Sequence, residues 1–275
     1  GLGALSYVES KRPLPPATES SILTLDRLVY EAELFEAGAS NDADIANLLS
    51  AGSSPGGARP KALVHDPEQN RYYLAKFPSS KDSVDVVRIE AATMSLASEA
   101  GLIVPRTTLI QCGNKPVLLV ERFDVLATGR RHMISMQTLL KAEGYYQCRY
   151  KDLLDIVRKV STDPAADSRL LFRQMVFNAV IGNTDDHLKN FWMTCEASEG
   201  WRLSPAFDLV PDIRESREHV LLFDLSAYSP GRKALEKLGR AWGISKHKDI
   251  IEEVYCTSMH WRSHFADSGD RKSVV

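Results

Sequence analysis

The chain has 275 residues, of which 44% are hydrophobic and 25% charged, enough to bury one large core or two lobes of ordinary domain size. A formal net charge of -2 and a pI near 6.4 offer no broad basic surface for direct nucleic-acid binding. No apolar run reaches the length of a membrane span and the N-terminus lacks a secretory signal, so the expectation is a cytoplasmic globular protein.

The first half reads as short β-rich runs punctuated by turn residues. Residues 49–60 form a Gly/Ser/Pro-rich stretch. Within it and just after, the segment from Gly52 to Lys61 reads as a loop whose glycines allow close backbone approach and whose amides suit phosphate oxygens. It is neither a Walker A sequence nor the GxGxxG of ordinary kinases. Residues 62–65 and 71–77 flank the turn Asp66-Pro67-Glu68-Gln69-Asn70 as a hairpin. Residues 88–100 carry an apolar stripe, Ile89, Met94, Leu96 and Ala97, followed by Gly101 as a C-cap, which predicts a helix. A second hairpin fits 107–111 and 117–122 around Gly113-Asn114-Lys115-Pro116.

The pattern changes from about Ser135. Helical periodicity covers 151–160, 168–181, 234–242 and 248–261, with a short strand at 201–203. A sheet-bearing N-terminal portion and a helical C-terminal portion predict an α+β, two-lobed arrangement, divided as 1–124 and 125–275, with the ligand site in the cleft between. The four cysteines, Cys112, Cys148, Cys195 and Cys256, have no metal-binding spacing and read as reduced thiols.

The chemistry concentrates in Ile181-Gly182-Asn183-Thr184-Asp185-Asp186-His187-Leu188-Lys189-Asn190, which follows an apolar helix. The spacing from Asp185 to Asn190 reproduces the D-x-x-x-x-N of a kinase catalytic loop, with the aspartate as proton acceptor and the asparagine on Mg²⁺. Lys189 is placed to neutralise charge on the moving phosphoryl group. Downstream, Asp208 in Leu203-Ser204-Pro205-Ala206-Phe207-Asp208 supplies the oxygen ligand that a hard cation prefers. A hydrolytic metal site on Asp185, Asp186 and His187 is the competing arrangement, and it lacks further ordered histidines.

Phosphoryl transfer also needs a cation on the phosphates. Lys76 lies in an apolar strand where an unpaired ammonium is costly, and Glu90 on the following helix is a candidate ion-pair partner. Glu121-Arg122-Phe123-Asp124 stands at the join of the two halves, like an adenine-contacting hinge.

Gly-Gly-Ala-Arg-Pro-Lys at 56–61, Tyr-Leu-Ala-Lys-Phe-Pro at 73–78, Glu-Arg-Phe-Asp at 121–124, Asn-Thr-Asp-Asp-His-Leu-Lys-Asn at 183–190 and Leu-Ser-Pro-Ala-Phe-Asp at 203–208 together resemble the HipA-like serine/threonine kinase toxins of bacterial toxin-antitoxin systems. The resemblance implies a protein-kinase-like fold and ATP/Mg²⁺-dependent phosphorylation of a protein, an aminoacyl-tRNA synthetase, with translation and growth arrested. It also implies a DNA-binding antitoxin as partner. Motif by motif, it makes Asp185 the base, Asn190 and Asp208 the Mg²⁺ ligands and Lys76 the phosphate-binding cation. Gly56, Gly57, Ala58 and Lys61 fall in the phosphate loop, Glu121 and Phe123 on the adenine side, and Arg122, His187, Lys189 and Phe207 also around the nucleotide. Ser54, with Ser53 as the alternative, matches a serine whose autophosphorylation ejects the loop, because a phosphoserine adds close to two negative charges beside those of ATP.

Two departures stand out. The family commonly carries a further N-terminal subdomain, and this chain opens near its end, so the expectation is a fragment or a short branch whose missing subdomain is a separate protein. The tail after Asp208 is short. Two other classes use the same residues: a small-molecule kinase of the choline or aminoglycoside type, and a non-catalytic pseudokinase that binds an antitoxin. The joint presence of Lys76, Asp185, Asn190 and Asp208 argues against the second.

Overall fold

The computed structural model describes residues 20–39, 59–126, 129–144, 146–196, 200–212 and 217–269. β1 (Ser20–Ser21) leads through a single 3-10 turn into α1 (Leu25–Glu36), whose Leu25, Leu28, Val29 and Ala32 recur at helical spacing and are buried. β2 (Lys61–Asp66) and β3 (Arg71–Lys76) pair antiparallel. In the turn between them Asp66 Oδ1 accepts from the Glu68 and Gln69 amides, and Asn70 takes φ 51°, a left-handed backbone that a short amide side chain tolerates. α2 (Val86–Glu99) starts where the Asp85 side chain accepts from the Arg88 amide, and it stops at Gly101, φ 79°.

β4 (Thr107–Cys112) and β5 (Lys115–Glu121) complete a five-stranded sheet in the order β1-β2-β3-β5-β4. Their turn is shorter than the four residues expected. Gly113, at φ 55°, closes it with Asn114 alone, and Pro116 is drawn into β5 opposite Gln111. β5 is buried on both faces, which is why its apolar run is continuous. Val117 and Leu119 pack with Ala62, Val64, Ala75 and Phe77 under α1. Leu118 and Val120 pack with Leu74, Val87 and Ala91 under α2.

The rest of the chain begins with β6 (Val125–Leu126), β7 (Gly129–Arg130), β8 (His132–Ser135) and α3 (Met136–Leu139). α4 (Tyr150–Val160) and α5 (Pro164–Ile181) follow, then β9 (Trp192–Glu196) and β10 (Gly200–Leu203). α6 (Arg232–Ala241), α7 (His247–Ser258) and α8 (Trp261–Asp267) close it. The main core lies here, with Tyr150, Leu153, Phe172, Phe177, Ile251 and Val254 buried together. The chain thus has the α+β class expected of it.

Three differences from the sequence reading stand out in this part of the chain. α5 starts four residues early, because Asp163 accepts from the Ala166 amide and Pro164 suits the first turn. The helix expected over 248–261 breaks after Ser258, and the chain turns to lay α8 against α2, where Phe265 meets Ile89 and Ala92. The strand expected at 201–203 is one of three, ordered β10-β9-β8. Among the described residues no helix is long and apolar enough to cross a membrane.

Candidate active site

Strand alternation turns Tyr73 and Ala75 toward α1 and Leu74 toward α2, so Lys76 also faces α2. The stripe of α2 that carries Val87 and Ala91 onto the sheet carries Glu90 with them. Lys76 Nζ lies 2.5 Å from Glu90 Oε1 and 2.6 Å from Asp208 Oδ1. Lys76 and Glu90 are 18% and 7% exposed, and Asp208 44%, so two carboxylates offset the burial of one ammonium. Burial by itself would lower the Lys76 pKa, but the charges of Glu90 and Asp208 override it and hold the ammonium well above its ordinary range. Burial raises Glu90, against the pull of Lys76. Lys76 draws the Asp208 carboxyl down, with Lys61 and Arg59 adding to it. Asp208 also sits at φ 57°, a left-handed backbone that non-glycine residues adopt chiefly where the surroundings impose it, often at functional sites.

α5 ends at Gly182, whose φ of 69° stops the helix. In the loop that follows, the Asp185 carboxylate meets His187 Nε2 at 2.9 Å. The Asp185 carbonyl accepts from Asn190 Nδ2 at 3.1 Å and from the His187 amide at 2.9 Å. Donation through Nδ2 leaves the Asn190 Oδ1 for another partner. The segment bearing Asp208 runs alongside. Ser204 donates its amide to the Trp192 carbonyl and Asp212 donates to the Gly182 carbonyl, both at 2.9 Å, while Thr184 Oγ1 meets the Asp212 carboxylate at 2.5 Å. Asp208 therefore lies midway along a span bonded at its two ends to the two flanks of the loop carrying Asp185 and Asn190.

Of the remaining candidates, Phe123 is brought to the segment that bears Asp208. The Phe123 and Phe207 rings stand 5.9 Å apart at 36°, joining the hinge segment to the residue before Asp208. Glu121 accepts from Arg71 at 3.3 Å. Arg122 is 8% exposed, and its guanidinium is bound to Asp124 at 2.9 and 2.5 Å, so its charge is neutralised inside the fold. Lys61 opens β2 opposite Lys76. Lys189 is exposed, and its carbonyl accepts from Trp192 Nε1 at 2.7 Å. Gly56, Gly57, Ala58, Ser53 and Ser54 lie outside the described residues. A hollow of about 520 Å³ is lined by Arg71, Tyr72, Glu121, Arg122 and the β6–β7 ribbon. It shares Glu121 and Arg122 with the candidates but not Lys76, Asp185 or Asp208.

Magnesium takes oxygen donors and is commonly held by one or two carboxylates together with substrate phosphates. The Asp208 carboxylate, part exposed, and the Asn190 amide oxygen are donors of that kind, and the set fits. Among the described residues no group of three His, Cys, Asp or Glu forms a metal cluster by itself. Asp186, the middle member of the competing hydrolytic arrangement, is 1% exposed and turned into the interior, so that arrangement falls.

Asp186 is the residue whose role sequence reasoning missed. It accepts from Tyr150, His219 and two backbone amides. A signal was present in α5: Asn178 is an amide beside Met175, Val176, Phe177 and Ala179, and it is buried, as is Gln174 one turn before it, as a polar group is when it has partners waiting. Tyr146 was missed too; its hydroxyl accepts from the Leu188 amide at 3.3 Å and faces His187 Nδ1.

Residues 53–261 match the family model described as HipA-like C-terminal domain. The chain is 31% identical over 151 residues to "Putative kinase Y4mE" of Sinorhizobium fredii, covering 51% of this chain and 34% of that protein. It is 24% identical over 190 residues to the "Putative kinase" of Haemophilus influenzae, covering 62% and 54%. The chain thus spans between about a third and about half the length of these relatives. Among solved structures, its fold is similar to a chain of the Shewanella oneidensis MR-1 toxin-antitoxin complex of HipA, HipB and operator DNA. That match has a TM-score of 0.62 at 20% identity, over 78% of this chain and 58% of that one. The Helicobacter pylori proinflammatory kinase CtkA is similar at a TM-score of 0.52 and 16% identity, over 78% and 90%. These two likenesses are of fold, the arrangement of the HipA and CtkA kinases. With a family model spanning most of the chain, laid on a fold of that type, the chain belongs to the HipA-like C-terminal domain family.

Proposed function

We propose that this chain is the catalytic body of an ATP- and Mg²⁺-dependent serine/threonine protein kinase. The observation that carries the reading is Lys76 bridging Glu90 and Asp208 beside the loop of Asp185 and Asn190. Residues 1–124 form the nucleotide-holding lobe of the proposal and 125–275 the catalytic lobe.

In this reading the Lys76 ammonium, fixed by Glu90, binds the ATP phosphates, and Phe123 and Phe207 wall the adenine with Glu121. Asn190 and Asp208 would hold Mg²⁺, which when bound neutralises charge on the phosphates. The acceptor hydroxyl gives its proton to Asp185 as its oxygen bonds to the γ-phosphorus and the bond to ADP breaks; Lys189 and His187 line the path. Asp185 suits the task because it is exposed and its orientation is held by His187.

The kinase names of the relatives, and the HipA, HipB and DNA assembly of the Shewanella neighbour, support a finer proposal. The chain acts in the cytoplasm as the toxin of a toxin-antitoxin pair, phosphorylates an aminoacyl-tRNA synthetase, and is checked by a DNA-binding antitoxin or by a separate protein resembling the N-terminal subdomain. Autophosphorylation at Ser54 switches it off.

The test is incubation with radiolabelled ATP, Mg²⁺ and a bacterial extract that contains the synthetases. A labelled protein band is expected, lost in Asp185→Asn while ATP binding persists. Labelling of choline or aminoglycosides but of no protein would replace the reading with small-molecule phosphorylation. Ser54→Asp is expected to weaken ATP binding, and unchanged binding removes the autophosphorylation step.

A further inference from the structure

The fold treats two adjacent carboxylates in opposite ways. Asp185 is 64% exposed at its side chain, whereas Asp186 is 0% exposed. A buried carboxylate is costly unless its lone pairs are met, and four donors meet this one. Tyr150 Oη of α4 donates at 2.6 Å, His219 Nδ1 at 3.1 Å, and the Val220 and Leu221 amides at 2.9 and 3.1 Å. An ionised carboxylate only accepts, so the His219 proton sits on Nδ1, while Nε2 meets Ser229 Oγ at 2.8 Å. The Tyr150 hydroxyl accepts from Asn178 of α5 at 3.0 Å, and Asn178 Oδ1 accepts from Asn183 at 3.1 Å. One carboxylate thus joins α4, α5, the loop 183–190 and the segment 217–229.

We infer that Asp186 and His219 form a positioning pair: the inward carboxylate fixes the direction of its neighbour Asp185 and ties the segment 217–229 to the catalytic loop. Loop 183–187 is not helical, so neighbouring side chains diverge, and holding Asp186 inside directs Asp185 outside. The Thr184 carbonyl adds to the tie by accepting from the Val220 amide at 3.2 Å. The inference rests on the kinase reading for the role of Asp185; the positional part stands without it.

Asp186→Asn keeps the volume but replaces one of the two oxygens, each of which serves two donors, by an NH₂, so at least one donor loses its acceptor. With the base misplaced, kcat for phosphoryl transfer is expected to fall on the order of 10²-fold, with KM for ATP unchanged because Lys76 and Phe123 are untouched. His219→Leu should behave in the same way. His219→Asn, whose amide reproduces the Nδ1 donor, should restore most of kcat. A merely structural pair would lower the folded fraction and leave kcat per folded molecule alone.

Hydrogen exchange supplies a readout independent of turnover. In Asp186→Asn the remaining oxygen can still accept from the Val220 and Leu221 amides, while Tyr150 and His219, the partners of Oδ2, lose their acceptor, so those amides are expected to lose only part of their protection. The inference requires that the His187 and Asn190 amides, bonded to the Asp185 and His187 carbonyls, lose it as well. Wild-type protection at 187 and 190, or unchanged kcat in a folded variant, overturns it. If Asp186→Asn does not fold, the same comparison is made between His219→Leu and His219→Asn. A wild-type chain that transfers phosphate to nothing defeats the kinase reading, and the exchange result then decides the positioning pair by itself.

Discussion

Lys76 Nζ stands 2.6 Å from Asp208 Oδ1 across 132 positions of sequence, and the same nitrogen is 2.5 Å from Glu90. One cation therefore holds together the sheet, α2 and the segment that runs beside the loop of Asp185 and Asn190. Removing it leaves two carboxylates facing each other, one of them 7% exposed. Lys76→Met should destabilise the chain by up to about 3 kcal/mol, toward the low end of a broken buried pair because Asp208 is partly in water. Urea denaturation at neutral pH reads this, and an unchanged midpoint would mean the pair contributes nothing net.

The pH dependence of that difference follows from the directions of the shifts. Lys76 is raised in the fold, so its contribution is fully present below its ordinary value of 10.5 and is lost as pH rises beyond it through the folded value. Asp208 is lowered, so its contribution is present above its ordinary value of 3.8 and is lost as pH falls through the folded value. Glu90 is raised, so it opposes folding above its ordinary 4.5 and relents in acid. The stability gap between wild type and Lys76→Met should stay level from about pH 7 to about pH 10 and narrow above that. A gap that narrows near neutrality contradicts the assignment.

Phe123→Ala tests the wall proposed for the adenine. Its ring meets Phe207 and takes no part in the ion pairs of Lys76. KM for ATP should rise about tenfold, equivalent to about 1.4 kcal/mol, with kcat retained. A fall in kcat at constant KM would place the ring elsewhere in the reaction.

Residue type and order were legible in the sequence; direction was not. The doubly buried β5 declared itself by an unbroken apolar run, and the α2 stripe by its period, because those signals are local. The spacing to Asn190 singles out Asp185, but the inward turn of Asp186 depends on His219, 33 positions further on. Arg122 differs: it reads as a cation at the hinge and its partner Asp124 is only two positions on, but the burial of the pair is not written in the motif. The break between α7 and α8 was missed because the apolar period runs through it, while the reason for the turn, the face of α2, lies far back in the chain. Tertiary partners distant in sequence decide the inward turn of Asp186 and the turn after α7.

Gly239 inside α6 carries a prediction about packing. A Cβ there would stand 2.6 Å from His247 Cβ and 2.9 Å from Phe172 Cζ, so α6 presses on α7 and α5 through a residue without a side chain. Alanine normally gains about 0.5–1 kcal/mol over glycine in a helix. Here the overpacking cost of about 1–3 kcal/mol should outweigh it, and Gly239→Ala should lower the urea midpoint. A raised midpoint would show that the helices can part without penalty.

Phe265→Ala asks whether α8 supports the charged site from behind. Phe265 packs with Ile89, Ala92 and Val210; Ile89 precedes Glu90, and Val210 lies two positions past Asp208. His264 reinforces the contact by bonding Glu99 at 2.8 Å and Ser95 at 3.0 Å, as does Arg88 on the Ser268 carbonyl at 2.6 Å. Truncating a buried phenylalanine costs about 3 kcal/mol or more, and part of that loss should appear as freedom of Glu90 and Asp208 to drift from Lys76. Gly239→Ala, whose contacts do not reach the three charged groups, is the control. At urea concentrations chosen to give equal folded fractions, Phe265→Ala should retain several-fold less phosphotransfer than Gly239→Ala, of the size that sub-ångström misplacement produces. Equal activity at equal folded fraction would reduce α8 to a stabilising element with no hold on the site.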